Sequence, residues 1–219
     1  MSKFAVIFDL DGTLLDTLDD LADAVNHILK KHNYPPKSRK DIRSFLGNGA
    51  RDLMKRSLPE GVEGDLFESL LEEYKDYYNA HSTLKTKPYD GVLDLLKALK
   101  DKGISTAVAS NKPDDAVRKL CEKYFGDLVD FSVGDRADLK RKPDAEPIRY
   151  AMDRLGCENA IFVGDSEVDV MTAKNADLHC ISLTWGFRDR DFLAERGAKI
   201  FADNAQELED HIYELMTKR

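Results

Sequence analysis

The stretch Phe4-Ala-Val-Ile-Phe8 is apolar without alternation, and it runs directly into Asp9-Leu-Asp11-Gly12-Thr13. A strand with one solvated face alternates apolar and polar residues. An unbroken run of this length suits a strand buried on both faces of a parallel sheet. Two carboxylates then stand at the carboxyl end of a buried strand, where open α/β sheets bind their ligands. Side chains at i and i+2 of a strand share a face, so Asp9 and Asp11 can share one site where the extended conformation holds. If both are ionised they repel, and a divalent cation such as Mg²⁺ relieves the repulsion, since hard cations take carboxylate oxygens. Asp11-Gly12 alone reads equally well as a turn, so the rest of the chain has to decide.

After Thr13 the character changes to helical. Thr17 is placed to cap a helix whose first turn holds Asp19 and Asp20, where the helix dipole favours negative charge. Leu18, Leu21, Ala22, Val25, Ile28 and Leu29 recur at helical spacing as far as Asn33-Tyr-Pro35-Pro36. Further helices are predicted around Arg51–Leu58 and Asp65–Ala80, and no strand is predicted between Leu14 and Thr86. From Val92 onward an α/β rhythm takes over. Helices are predicted at Val92–Lys102, Asp114–Lys123, Glu146–Leu155 and Ala205–Thr217. Strands are predicted at Ile104–Ala109, Val129–Val133, Ala160–Val163, His179–Leu183 and Lys199–Ala202. This alternation predicts a parallel sheet with helices on both faces. The chain divides into a discontinuous α/β core, 1–14 with 87–219, and an inserted all-helical domain, 15–86, with Lys87-Pro88-Tyr-Asp-Gly91 as its exit linker.

Charged residues make up 34% of the 219 and the net charge is −8, which argues against nucleic-acid binding as the main task. Cys121, Cys157 and Cys180 are odd in number and lack metal-ligand spacing, which reads as reduced packing thiols in a cytoplasmic protein. No signal-peptide pattern opens the chain, and no apolar run approaches membrane-spanning length. Neither heptads nor a long apolar edge points to assembly, so a monomer or weak homodimer is expected.

Four signals stand in order: Asp9-Leu-Asp11-Gly12-Thr13, Ser110-Asn111, Lys142-Pro143 and Gly164-Asp165-Ser166-x-x-Asp169. Each alone has an ordinary reading as a turn, a helix cap or a surface lysine. Together, and with a helical block after the first, they make the chain resemble the haloacid dehalogenase superfamily over essentially its whole length. The branch it resembles is that of Mg²⁺-dependent phosphatases with a helical, C1-type cap. The resemblance implies a Rossmann-like α/β core and hydrolysis of a small phosphate monoester. On that reading Asp9 is the nucleophile, and its aspartyl-phosphate splits one hard displacement into two easier ones. Asp11 is the general acid to the leaving alcohol and then the base for water. The backbone carbonyl of Asp11, with Asp9 and Asp165, is implied as the Mg²⁺ site. Asp169, with Ser166, is expected just outside it, orienting Lys142 or a metal-bound water. Ser110 and adjoining backbone N–H groups would hold the phosphoryl oxygens, with Thr13 and Asn111 also on the substrate side. Lys142 would neutralise charge on the phosphate and on Asp9. The family often has a second proline where this chain has Ala145, which implies a changed loop without lost catalysis.

Phe45-Leu46-Gly47-Asn48-Gly49-Ala50-Arg51 resembles the substrate-specificity loop of phosphoglycolate phosphatases, with Gly47, Asn48 and Gly49 able to approach a ligand closely. Thr184-Trp185-Gly186-Phe187-Arg188 and Glu195-Arg196-Gly197-Ala198 are similar to the same subgroup. Arg51 either grips a substrate carboxylate bidentately or is a surface arginine. The same motifs also serve pyrophosphatases, nucleotidases, sugar-phosphate phosphatases and a phosphoglucomutase. Leu15-Asp16-Thr17-Leu18-Asp19 gives the mutase little support. The presence of Asp11 disfavours dehalogenase chemistry. Lys30 and Lys31 read as a solvated helix end, not as a Schiff-base lysine. A non-catalytic phospho-ligand sensor predicts loss of Asp9 or Asp11, and both are intact. Short linkers at Leu14–Thr17 and Thr86–Gly91 predict a cap that opens to admit substrate and closes to exclude water.

Overall fold

In the computed structural model, which describes residues 3–217, the chain lays down β1 (Phe4–Phe8) and then leaves the sheet. A two-residue strand β2 (Leu15–Asp16) leads into four helices, α1 (Leu18–Lys31), α2 (Arg39–Phe45), α3 (Gly49–Ser57) and α4 (Gly64–His81). The chain returns through β3 (Lys87–Pro88), which pairs antiparallel with β2. Helix and strand then alternate through α5 (Val92–Asp101), β4 (Ser105–Pro113), α6 (Asp114–Tyr124), β5 (Phe131–Asp135) and α7 (Glu146–Leu155). They continue through β6 (Asn159–Gly164), α8 (Glu167–Ala176), β7 (His179–Leu183), α9 (Arg190–Glu195), β8 (Ile200–Ala202) and α10 (Ala205–Thr217).

The main sheet is six-stranded and parallel, in the order β5-β4-β1-β6-β7-β8. Ala5, Val6, Ile7 and Phe8 of β1 have no exposed surface, which is why this stretch shows no alternation. Val6 and Phe8 belong to one apolar cluster with α5 and α10, Ala5 and Ile7 to another with Ile148 and Ala151 of α7. One strand therefore supplies both faces through the period of two. From β1 the chain runs outward to β4 and β5 on one side and to β6, β7 and β8 on the other. The crevice at the carboxyl ends of these strands is the topological switch point of the sheet. The helices α1–α4 pack around a cluster of their own, which includes Leu21, Val25, Ile42, Leu53, Met54, Leu70 and Tyr74. Phe187, from the loop after β7, is buried in that cluster as well.

Several local expectations change. β2 lies in the segment expected to lack strands, because the outgoing and returning linkers pair as Leu15–Pro88 and Asp16–Lys87. Thr17 sits at the N-terminus of α1 but makes no capping hydrogen bond, and its Oγ1 is buried without a partner among the described residues. Asp20 takes the structural role instead. Its carboxylate accepts hydrogen bonds from Lys85 N (3.0 Å), Thr86 N (2.9 Å) and Thr86 Oγ1 (2.8 Å), tying the returning linker to the first turn of α1. β4 runs on to Pro113 rather than stopping at Ala109. Helices α2 and α9 were not expected; α2 buries only Ile42 and is held at its start by a reciprocal Ser38–Asp41 capping box. Cys121, Cys157 and Cys180 are unbridged, the first two buried. No helix among the described residues is long and apolar enough to cross a membrane.

Candidate active site

The chain leaves β1 through a tight loop in which Gly12 N–H donates to Leu15 O (2.9 Å) and Thr13 N–H to Leu10 O (3.3 Å). Gly12 has φ +82°, and a Cβ there would collide with the Asp165 carboxylate. Gly186 approaches Asp165 as closely from the other side. Only residues without side chains let two backbone segments close around this buried acid.

Asp9, Asp165 and Asp169 are all buried, and each places a carboxylate oxygen within 4.8 Å of the others'. Lys142, its side chain 1% exposed, puts Nζ 2.9 Å from Asp9 Oδ1 and 2.8 Å from Asp169 Oδ1. Asp169 Oδ2 accepts from Ser166 N (3.0 Å) and Ser166 Oγ (2.6 Å), so both its oxygens are committed. Asp165 accepts from Thr13 Oγ1 (3.0 Å) and from the backbone N–H of Phe187 (2.7 Å). Burial pushes the Asp9 carboxyl up to about 6, opposed by Lys142 and aided by Asp169. Burial, with Asp169 and Asp9 close by, pushes Asp165 well above the carboxylate range. Burial alone would lower the Lys142 ammonium, but Asp169 and Asp9 outweigh it and hold the lysine charged. Three buried carboxylates share one ammonium, so ionising all of them would leave negative charge uncompensated in a buried site. A hard divalent cation fits such a donor set, with Asp9 and Asp165 to hold it and Asp169 turned toward Lys142.

A second lysine serves the second aspartate. Lys112, 3% exposed, places Nζ 2.9 Å from Asp11 Oδ1 and 2.8 Å from Asp11 Oδ2. Sequence reasoning did not single it out, since a lysine at the end of a strand reads as solvated. A signal was present nonetheless: in a regular strand Lys112 shares a face with Ser110. Asn111 points elsewhere, its Nδ2 donating to Lys142 O (3.0 Å) and to Gly47 O (3.2 Å) across to the helical segment. Asn111 Oδ1 is buried without a partner among the described residues.

Between the sheet ends and the helices lies a narrow cleft of about 50 Å³. That is on the order of four water-sized occupants. Asp9, Asp11, Ser110, Asn111 and Lys112 line it from the sheet side. Gly47, Gly49, Leu53, Tyr74 and Tyr78 line it from the helices. Asn48 is the residue preceding α3 and, like Thr13, is not part of this lining. Arg51 is elsewhere. Its Nη1 and Nη2 donate to Glu68 Oε1 (2.8 Å) and Oε2 (2.6 Å) on the outside of the helical unit, with 52% of the side chain exposed. The cations that line the cleft are Lys112 and Lys75.

The loop after β7 joins the two halves. Arg188 Nη1 donates to Arg43 O (3.1 Å) and Nη2 to Leu46 O (2.7 Å), while Glu167 holds the same guanidinium at 2.7 Å. In return, Arg43 Nη2 donates to Gly186 O (2.9 Å). Trp185 is half-buried against the core and donates from Nε1 to Thr13 O (3.2 Å).

Residues 6–183 match the family described as haloacid dehalogenase-like hydrolase. Phosphoglycolate phosphatase 1 of Pseudomonas aeruginosa is 36% identical over 211 residues, covering 93% of this chain and 77% of that protein. A phosphoglycolate phosphatase of Cereibacter sphaeroides is 38% identical, covering 84% of this chain and 86% of its own. Among solved structures, one from Lactobacillus delbrueckii subsp. bulgaricus, provisionally named a phosphoglycolate phosphatase, superposes with TM-score 0.90 at 34% identity. That match covers 97% of this chain and 99% of the other.

Proposed function

This chain belongs to the haloacid dehalogenase-like hydrolase family, and on that premise we propose that it is a Mg²⁺-dependent phosphatase whose preferred ester is phosphoglycolate. The observation that carries the reading is the pair Asp9 and Asp11 at one strand end, each held by its own buried lysine. Asp9 attacks phosphorus, forming the aspartyl-phosphate bond as the ester P–O bond breaks. Asp11 gives its proton to the departing alkoxide oxygen, then takes one from the water that attacks phosphorus and releases phosphate and free Asp9. Lys142 neutralises charge between Asp9 and the phosphoryl oxygens, and the Ser110 hydroxyl with nearby backbone N–H groups positions those oxygens. Asp9, Asp165 and the Asp11 carbonyl would hold Mg²⁺, which would supply further neutralisation of the phosphoryl charge. The helical segment 15–86 acts as a cap that excludes water during transfer, with the paired linkers β2 and β3 as its hinge.

The narrow cleft and the names of the relatives favour a small phospho-acid. The test is Mg²⁺-dependent phosphate release from phosphoglycolate, pyrophosphate, nucleoside monophosphates, sugar phosphates and p-nitrophenyl phosphate. Specificity is read as the ratio of kcat/KM values. The highest value is expected for phosphoglycolate. A clear preference for another class removes the substrate assignment, and no phosphate release from any ester removes the phosphatase.

A further inference from the structure

We propose that Lys112, with the Tyr78 hydroxyl, is the receptor for a negatively charged leaving group, and that this pair rather than Arg51 selects acid esters over neutral ones. The inference rests on the acid-ester reading above and locates it in two side chains. Asp11 serves the leaving oxygen, so whatever is attached to that oxygen must lie beside Asp11. Lys112 Nζ already lies there, within 2.9 Å of both Asp11 oxygens. In a two-carbon phospho-acid, one methylene separates the leaving oxygen from the carboxylate, which places that carboxylate within the sweep of the same ammonium. An ammonium has three donors on a flexible stem, so it can hold Asp11 and a substrate oxygen together.

Tyr78 is the independent observation. It lines the cleft, and Lys112 Nζ lies 4.5 Å from its ring centre. Its hydroxyl is buried with no hydrogen-bond partner among the described residues. Burial pushes the phenol far above its ordinary range, so it remains a donor. A buried donor without an acceptor is a cost that a bound carboxylate oxygen removes. The surroundings sharpen the selection, because Leu21, Leu53 and Tyr74 line the same cleft and leave a charge there little other stabilisation. Lys75, the other lining lysine, is more exposed and is engaged by Glu72 at 2.6 Å, and Arg51 is engaged by Glu68.

The experiment compares kcat/KM for phosphoglycolate with that for phosphoglycolamide, its neutral amide of the same size, under saturating Mg²⁺. The unmutated enzyme is expected to favour the acid. In Lys112→Gln the acid-to-amide ratio is expected to fall about tenfold to a hundredfold, the worth of one charge-assisted hydrogen bond. Lys112→Arg, which keeps the charge, is expected to retain more of the ratio, and Tyr78→Phe to lose several-fold. Inhibition by inorganic phosphate checks that each variant keeps its phosphoryl site. If the Lys112 variants do not fold, Tyr78→Phe, which removes a single oxygen, carries the test. An equal fall for both esters would make Lys112 a support for Asp11 only and overturn the proposal, as would an unchanged ratio. An unmutated enzyme that does not distinguish acid from amide overturns the acid-ester reading itself, and is recognised before any variant is made.

Discussion

Phe187 donates its backbone N–H to Asp165 Oδ2 at 2.7 Å while its own ring is buried in the apolar cluster of α1–α4. The proposed metal ligand and the helical unit therefore share one residue. A rigid contact of this kind transmits position: if the helices shift, the donor that orients Asp165 shifts with them.

Phe187→Ala keeps the N–H but removes the ring that anchors it. Deleting a buried phenyl costs about 3–5 kcal/mol where the site cannot collapse. Loss of a group that orients a metal ligand typically weakens metal binding about tenfold to a hundredfold. Both effects are expected, the first in urea unfolding and the second in the Mg²⁺ dependence of turnover. Unchanged Mg²⁺ affinity in a destabilised variant would show that ring and carboxylate act independently.

Lys142→Met strands two buried carboxylates, Asp9 and Asp169, without their shared cation. Removing one member of a buried ion pair costs about 3–5 kcal/mol. The loss is expected to be large near neutral pH and smaller at about pH 5, where Asp9, with its carboxyl at about 6, takes up a proton instead. Urea unfolding at the two pH values decides. An equal loss at both would mean that the lysine contributes packing and not charge.

Metal binding and pH are linked through the same acid. The folded-state carboxyl of Asp9 is raised to about 6, and Asp165 moves in the same direction. A raised carboxyl contributes stability that is complete at low pH and is lost as pH climbs through its folded value. The metal-free protein is therefore penalised at neutral pH, and a cation that requires both groups ionised relieves the penalty. Mg²⁺ is expected to raise the melting temperature more at about pH 8 than at about pH 5. Its apparent affinity should fall by up to roughly tenfold per pH unit below about 6 for each proton displaced. A pH-independent Mg²⁺ effect would contradict the assignment of Asp9 and Asp165 as ligands.

The parts legible in the sequence were those set by local pattern. α7, β7 and α10 have the bounds their periodicity predicts, and the apolar run of β1 placed Asp9 at the carboxyl end of a central strand because both faces of that strand are buried. What stayed hidden depends on pairings across the chain. Strand alternation puts Lys112 on a face with Ser110, but it does not identify the partner, an aspartate 101 residues earlier. Nothing in a lone phenylalanine after β7 shows that it leaves the sheet for the helical cluster. α2 escaped notice for a different reason: with only Ile42 buried it has no apolar stripe to read, and its stability comes from capping and docking. Pairing of β2 with β3 rests on two residues from each strand, too few for alternation to register.

Arg51 illustrates the same limit from the other direction, since its type and position suit an anion but its guanidinium is spent on Glu68. Exposed pairs of this kind contribute little to stability. Arg51→Ala is expected to leave kcat/KM for phosphoglycolate within about threefold and the melting temperature nearly unchanged. A hundredfold fall would show that Arg51 abandons Glu68 for the substrate.

Arg188 offers the sharpest test of how the helical segment is held against the sheet. It stands in the loop after β7, yet its guanidinium reaches two carbonyls, Arg43 O and Leu46 O, at the end of α2, where a helix leaves acceptors unsatisfied. Glu167 fixes it from the sheet side. Gly47, next in the chain after Leu46, lines the cleft and accepts a hydrogen bond from Asn111, so this clasp sets one wall of the site. Arg188→Leu preserves much of the apolar stem but removes the fork, and about 2–3 kcal/mol of stability is expected to go with it. Backbone hydrogen exchange over 44–50 should accelerate, and KM should rise more than kcat falls, because Arg188 touches none of the groups assigned to the chemistry. Arg188→Lys is expected to behave more like leucine than arginine, since a single ammonium cannot span both carbonyls and Glu167. Unaltered exchange over 44–50 in Arg188→Leu would show that apolar packing around Phe187 holds the helical segment without the clasp.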